Sequence, residues 1–225
     1  MINWHAKRTG SYSKNSSDGW DNIQLIWSNL VRNGFSEAAA AGVLVNMENE
    51  GGFNPWRWES DDVLATTDWN IIDSSMIHGY GLCGWTPSGK YLHDNWASLG
   101  LYPSTYKGYS PNYTDQPGNA SDGHAQMIFI IEGQRYNWVT SGTGRVNVSW
   151  QQFRTIDDPA WAAEVWCRNY EYPANLEQEV SERRAGVSWY YDRLAGTIPV
   201  RDPLDDSIIG PWLYKKIIDH NNGIL

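Results

Sequence analysis

The chain is short of cysteine, phenylalanine, positive charge and long apolar runs, and each shortage removes a class of function. Only Cys83 and Cys167 are present, so neither a disulfide framework nor a four-cysteine zinc site can be assembled. Two buried thiols are expected, with a Cys83 to Cys167 bridge as the alternative. No segment approaches the roughly 18 consecutive apolar residues of a membrane span. Met1 to Arg8 also lack the apolar core of a signal peptide, so the expectation is a chain neither exported by a leader nor anchored in a bilayer. Lys and Arg number 17 against 26 Asp and Glu, a formal charge of −9. That is the wrong sign for gripping nucleic acid or an anionic membrane, and neither is expected as a partner. The histidines form no HxxxH or HxH pair, and no glycine-rich phosphate loop or dinucleotide fingerprint occurs. The expectation is therefore no metal and no cofactor. Cys83 with His78 or His93 imitates a cysteine peptidase, but nothing signals a third, orienting residue.

What is abundant is aromatic area with a polar handle, in 14 Trp and 13 Tyr against 4 Phe. Such side chains suit core edges, or a groove that stacks on sugar rings. A length of 225 residues fits one domain with a real core. Residues 1–20, polar and rich in Ser, Asn and Gly, read as an extended arm. Residues 21–196 carry the folded domain. Residues 197–225 form an extension of different character that would pack on the domain or attach it to a partner.

Apolar residues at Ile23, Ile26, Trp27, Leu30 and Val31 mark an amphipathic helix from Asp21 that stops at Gly34. Ser36 caps a second helix, which runs unbroken from Ala38 to Met47 and ends at Gly51-Gly52 and Asn54-Pro55. Residues 53–87 show little helical period and read as an irregular lobe. A helix through Tyr91, Leu92 and Trp96 precedes a polar loop from Gly100 to Gly123. The run from Met127 to Ile131, extending to Trp138, is the best candidate for the central helix of the core. Asp158 and Pro159 open a further helix, and Leu176, Val180, Val187, Tyr191 and Leu194 mark another that ends at Gly196.

Glu48 and Glu50 both fall in the last turn of the second helix, on opposite flanks of its buried stripe, so periodicity barely separates them. Their downstream neighbours do. Glu50 leads directly into Gly51-Gly52-Phe53-Asn54-Pro55, where the chain must turn and a ligand can approach uncluttered backbone. A carboxyl held protonated by burial or by a neighbouring charge can protonate a glycosidic oxygen. The plainer reading of Glu50 is a solvated glutamate at a helix end.

Three blocks resemble the phage tail lysozyme family. Ala38 to Pro55 is similar to its Ala-Gly-Ile-Leu-Gly-Asn-Met-x-x-Glu-Ser-x-x-Asn-Pro segment, with Glu50 on the catalytic glutamate. Gly79-Tyr80-Gly81-Leu82-Cys83-Gly84-Trp85-Thr86-Pro87 is similar to its Gly-Tyr-Gly-Leu-x-Gln-Trp-Thr-Pro cleft segment. Asn169-Tyr170-Glu171-Tyr172-Pro173 is similar to its Tyr-Glu-x-Pro block. The resemblance implies a mainly α, α+β lysozyme-like fold, with helices around a central one and a small irregular β or loop lobe across a cleft. It also implies cleavage between N-acetylmuramic acid and N-acetylglucosamine in bacterial peptidoglycan, with Glu50 as the acid. One departure stands out: Gly84 occupies the place of the family's glutamine, which puts substrate geometry and full activity in question.

A second carboxylate is expected about 5 to 9.5 Å from the acid. Glu59, Asp61, Asp62, Asp68 and Asp73 are candidates, and Asp62, where the resembling segment often has an aspartate, ranks first. Substrate contacts are expected from Tyr80, Gly81, Leu82 and Trp85 in the cleft block, and from Trp58, with Trp56 beside it. Arg57 would pair with peptide-stem carboxylates or with Glu59. Lytic transglycosylases manage with one glutamate, so Glu50 alone would serve that reaction. A third reading is a virion structural or wall-binding module with impaired catalysis. Because the wall is itself anionic, an acidic wall-cutting enzyme is easier to understand if something delivers it. That points to phage tail proteins as partners through the C-terminal extension, and to a location in the virion tail, or in the host cytoplasm before release.

Overall fold

The structure is a computed structural model and describes residues 2–7, 10–55, 57, 79–86, 123–124, 126–127, 129–133 and 138–201. The helix near Tyr91, the loop from Gly100 and most of the extension after residue 196 lie outside these residues.

Helix α1 spans Ser17–Arg32 and α2 spans Glu37–Glu50. α1 starts earlier than its apolar periodicity predicts, because Ser16 takes the cap and its hydroxyl accepts from the Gly19 amide. Ser36 caps α2 as expected, accepting from the Ala39 amide. Further on come α3 over Trp150–Arg154, α4 over Pro159–Trp166, α5 over Leu176–Gly186 and α6 over Ser188–Leu194. Asp158 caps α4 by accepting from the amides of Ala160 and Trp161 at 2.8 and 3.1 Å. α4 runs on into a π turn over Cys167–Glu171.

α2 is the centre of the body. Every residue from Ala38 to Met47 is buried, and a helix that is apolar all round must be enclosed. α1, α3, α4, α5 and α6 all pack on it. Its small residues let them come close: a Cβ on Gly42 would stand 2.7 Å from the backbone of Ala162 on α4. The central place expected for Met127 to Ile131 thus belongs to α2. Met127, Phe129, Ile130 and Ile131 are buried, but the segment closes as a π turn over Phe129–Gly133. The single helix expected over Leu176 to Leu194 is two, broken at Gly186-Val187, where a Cβ on Gly186 would lie 3.2 Å from Val45 of α2. α3 escaped the periodicity because it is one turn long, yet Ser149 and Gln152 form a reciprocal capping box that the sequence does display.

Much of the tryptophan goes to the core. Trp138, Trp150, Phe153 and Trp166 meet with ring centroids 4.9 to 6.2 Å apart, contacts worth about 0.5–1.5 kcal/mol each beyond area burial. The stretch before α1 is also packed in, with Trp4 and Ala6 buried. Asn22 of α1 holds it: its side-chain oxygen accepts from the His5 amide, and its amide donates to the His5 carbonyl.

Candidate active site

Glu50 sits where α2 stops. The amides of Gly51 and Gly52 both donate to the Met47 carbonyl at 3.0 Å, and Phe53 comes next with φ 54°, a left-handed conformation that costs a side-chain-bearing residue about 1–2 kcal/mol. Buried amides hold this strained turn. Asn22 Nδ2 donates to the Phe53 carbonyl at 2.7 Å. Asn54 accepts from the Lys7 amide and donates to the carbonyls of Lys7 and Gly10, so the N-terminal stretch braces the turn. Arg57 Nη1 donates to the Glu50 carbonyl at 2.7 Å, a cation placed at the negative end of the helix. Arg57 therefore has a helix-capping task, beside those expected from its sequence.

Residues 79–86 form the facing wall. Tyr80 and Trp85 make an isolated antiparallel bridge, and the Gly81 amide donates to the Arg57 carbonyl at 2.9 Å. Gly51 is pressed against this wall, since a Cβ there would stand 2.4 Å from the Gly81 carbonyl oxygen. Fully buried Gln126 ties the two sides together: its oxygen accepts from the Leu82 amide at 2.8 Å, and its nitrogen donates to the Pro55 carbonyl. Sequence reasoning missed Gln126, because an isolated glutamine in an apolar run carries no pattern.

The two glutamates of the last turn have separate fates. Glu48 accepts from the Tyr190 hydroxyl at 2.6 Å and pairs with Lys14 at 2.9 Å, so it is part of the scaffold. Burial and this bond push the Tyr190 phenol up. Glu50 keeps a side chain about 30% exposed and faces Gly84, whose φ is +53°. A Cβ on Gly84 would lie 3.3 Å from Glu50 Oε2. A larger residue there would crowd the carboxyl, and glycine does not.

Behind Glu50 lies a charge cluster that the sequence did not announce. Glu171, the last residue of the π turn, accepts from the Trp166 indole at 2.9 Å. The residue is only partly buried by area, but its carboxyl is packed round by protein. Burial, then the nearby Glu50 charge, drive its pKa well above the usual carboxylate range, against the opposing pull of the Trp166 bond and Arg183. Arg183 of α5 is 3% exposed. Its Nη2 lies 3.8 Å from Glu50 Oε1 and its Nη1 2.7 Å from Glu179. The latter approach is off the hydrogen-bonding line, and neither Nη1 nor Nε has a hydrogen-bond partner. Cys83 and Cys167 border the cluster, both free and buried. Burial raises both thiols, Cys167 to about 12, so neither supplies a thiolate near neutrality.

Of the expected substrate contacts, Tyr80, Gly81, Leu82 and Trp85 are brought together beside Glu50 and are buried. Trp85 packs edge-on against Phe129 at 5.4 Å. Trp56, Trp58 and Asp62 lie outside the described residues. A separate concavity of about 340 Å³ is lined by Lys14, Trp20, Trp189 and Arg193, but its cations are committed, Lys14 to Glu48 and Arg193 over the Trp189 ring at 4.3 Å. Among the described residues no three His, Cys, Asp or Glu side chains gather as a metal site, and no helix is long and apolar enough to cross a membrane.

A mainly helical body wrapped round α2, with a half-open glutamate at the end of that helix and a glycine-bearing loop against it, defines a lysozyme-like module. The sequence model of the phage tail lysozyme family matches residues 21–194, and the chain belongs to that family. Morphogenesis protein 1 of Bacillus phage B103 is 25% identical over 190 residues, which cover 82% of this chain and 43% of that protein. The chain thus spans less than half the length of that curated relative.

Proposed function

We propose that this chain is a peptidoglycan-cleaving glycosidase that cuts between N-acetylmuramic acid and N-acetylglucosamine, with Glu50 as the general acid. The observation that carries the reading is the setting of Glu50. It ends a buried helix, keeps a side chain about 30% exposed beside Gly84, and among the described residues lies 3.8 Å from Arg183, which also pairs with Glu179. Protonation of the glycosidic oxygen lets the leaving sugar depart as an alcohol. Asp62 is the proposed second carboxylate, acting as base or electrostatic partner in the segment after Glu50. The segment Tyr80 to Trp85, whose Tyr80, Leu82 and Trp85 side chains are buried and shape the wall from behind, is proposed to border the sugar subsites through the backbone near Gly81 and Leu82, with Trp58 as a further contact. Family membership, and the likeness to a longer phage morphogenesis protein, support action on the host wall from a virion tail, with residues 197–225 as the attachment segment.

Gly84 bears on the reading of an impaired wall-binding module. Its place against Glu50 favours catalysis, because it opens the acid to substrate. The test is Glu50→Gln assayed on purified peptidoglycan, with release of soluble fragments as the readout. Loss of release with an unchanged melting temperature is expected. Full release would overturn the assignment of Glu50. Mass spectrometry of the products then separates the two reactions: reducing ends mark hydrolysis, and anhydro-muramic ends mark a transglycosylase that needs Glu50 alone.

A further inference from the structure

The turn that carries Glu50 and the wall that faces it are separate stretches of chain, and one buried side chain is bonded to both. Gln126 is 0% exposed. Its Oε1 accepts from the Leu82 amide at 2.8 Å, and its Nε2 donates to the Pro55 carbonyl at 2.5 Å. One partner can only donate and the other can only accept, so the two bonds fix which way the carboxamide points. The carboxamide also fills the space beside Gly81, where a Cβ would stand 2.5 Å from Gln126 Oε1 and 2.9 Å from the Trp85 ring. On the opposite side of the wall, the Leu82 carbonyl oxygen would lie 2.6 Å from a Cβ on Gly51. The wall is thus held between Gln126 and the residue that follows Glu50. The Gly81 amide makes a second tie, to the Arg57 carbonyl, and the Arg57 side chain bonds the Glu50 carbonyl. Among the described residues, the titratable groups on these stretches are Glu50, Arg57, Tyr80, Cys83 and His124.

We propose that Gln126 is a positioning residue for glycan cleavage. Its carboxamide sets the distance between the Glu50 turn and the Tyr80 to Trp85 wall, and with it the line from Glu50 to the glycosidic oxygen. The inference rests on reading Glu50 as the acid. Gln126 has no exposed surface for a sugar to touch, so it acts through two backbone groups, one on each side of the cleft. A satisfied buried amide holds its partners in one arrangement, because a slip of the wall breaks a bond that no water replaces. Proton donation depends on such fixity, and a displacement of about 1 Å can cost on the order of 10²-fold in rate. Several groups grip the substrate along a cleft, whereas proton donation needs one alignment, so the loss falls on kcat more than on KM.

The test uses the full chain and soluble, uncross-linked peptidoglycan strands, with the folded fraction measured by near-ultraviolet circular dichroism at each pH. Gln126→Met removes both bonds and should lower kcat per folded molecule by about 10- to 100-fold, with KM within about threefold of the parent. Gln126→Glu gives the sharper readout. When protonated, the new carboxyl accepts from the Leu82 amide and donates its O–H to the Pro55 carbonyl, as the amide does. When ionised it has no donor and sets an oxygen against that carbonyl. Burial places the ionisation above the ordinary carboxyl value of about 4.3. Relative to the parent, kcat per folded molecule of Gln126→Glu should be within about threefold at the acid end of the pH profile and at least about tenfold lower at the alkaline end. A Gln126→Glu profile parallel to that of the parent overturns the inference. So does an unchanged kcat per folded molecule in Gln126→Met, the result that a purely structural role gives. If Gln126→Met does not fold, the Gln126→Glu profile decides alone. An active Glu50→Gln defeats the reading of Glu50 and this inference together. An inactive Glu50→Gln beside a parallel Gln126→Glu profile defeats only the inference.

Discussion

The segment from α4 through the π turn to α5 builds two charge clusters, one inside and one outside, and they are made by opposite rules. Outside, Arg168 donates to both oxygens of Glu177 at 2.8 and 2.7 Å and to Glu164 at 2.8 Å, while Arg184 pairs with the other Glu164 oxygen. Two cations meet two anions there, with bidentate geometry, and the result ties the end of α4 to the start of α5. Inside, among the described residues, Glu50 and Glu179 meet the guanidinium of Arg183, whose Nε lacks a hydrogen-bond partner, and the Glu171 carboxyl feels the charges of Glu50 and Arg183. A cluster meant only to hold helices together would be balanced and satisfied, as the outer one is. An excess of carboxyls around one guanidinium favours the protonated form of a carboxyl, and departures from local consistency are expected at functional sites.

The sharpest way to break this comparison is at Glu50 itself. Glu50→Gln should lower peptidoglycan cleavage by about 10²–10⁴-fold, the span of general-acid catalysis. Its effect on stability should be small, because the side chain is 30% exposed and its approach to Arg183 is a loose 3.8 Å. Next in size is a paired substitution read by chemical denaturation. Arg183→Met removes a buried guanidinium from Glu50 and Glu179, whose side chains are 30% and 29% exposed, and should cost about 2–3 kcal/mol. Arg168→Met removes a partly exposed strap and should cost only about 1–2 kcal/mol. If Arg168 proved the costlier, the inner cluster would be ordinary scaffold.

Gly84 probes the opening in front of the inner cluster. Gly84→Ala places a Cβ at φ +53°, 3.3 Å from Glu50 Oε2, and should cost about 1–2 kcal/mol of stability. Cleavage should fall as well, by about tenfold, as the methyl crowds the acid and shifts it from line with the bond it protonates. Activity equal to the parent would show that the space beside Glu50 is not where the substrate enters.

Legibility in the sequence tracked the range of the interactions. The caps at Ser36 and Asp158 and the stop at Gly51-Gly52 could be read because each is set within a few residues. The body was recognisable as helical for the same reason. What escaped depends on contacts distant in sequence. The turn after Glu50 is braced by Asn22, Asn54 and the N-terminal stretch, and polar residues in a Ser-rich segment do not advertise a partner near residue 50. Glu171 was legible as part of a Tyr-Glu-x-Pro block but not as a neighbour of Glu50, since only the π turn ending α4 brings it there. The rank of α2 was misjudged from composition. Its alanines and Gly42 look less hydrophobic than the Met127 to Ile131 run, yet small size is what allows helices to surround it.

The finest test of the comparison is the sign of each cluster's pH dependence. Hydrogen bonds from Arg168 hold the Glu177 carboxyl below the usual range, so its unfolded form binds protons more readily than its folded form. Its contribution to stability is therefore present above the ordinary carboxyl value of about 4.3 and is lost as pH falls through the lower folded value. Glu171 runs the other way. Its folded carboxyl is raised by burial and by Glu50, so its contribution is complete below about 4.3 and declines as pH rises through the folded value. Melting temperatures of Glu177→Gln should fall below the parent near pH 6 and converge with it in acid. Those of Glu171→Gln should rise relative to the parent as pH increases. The Glu177 difference will be small, because that carboxyl is exposed to solvent and salt, but its direction is what counts. Slopes of the same sign in both variants would mean that the two clusters are alike.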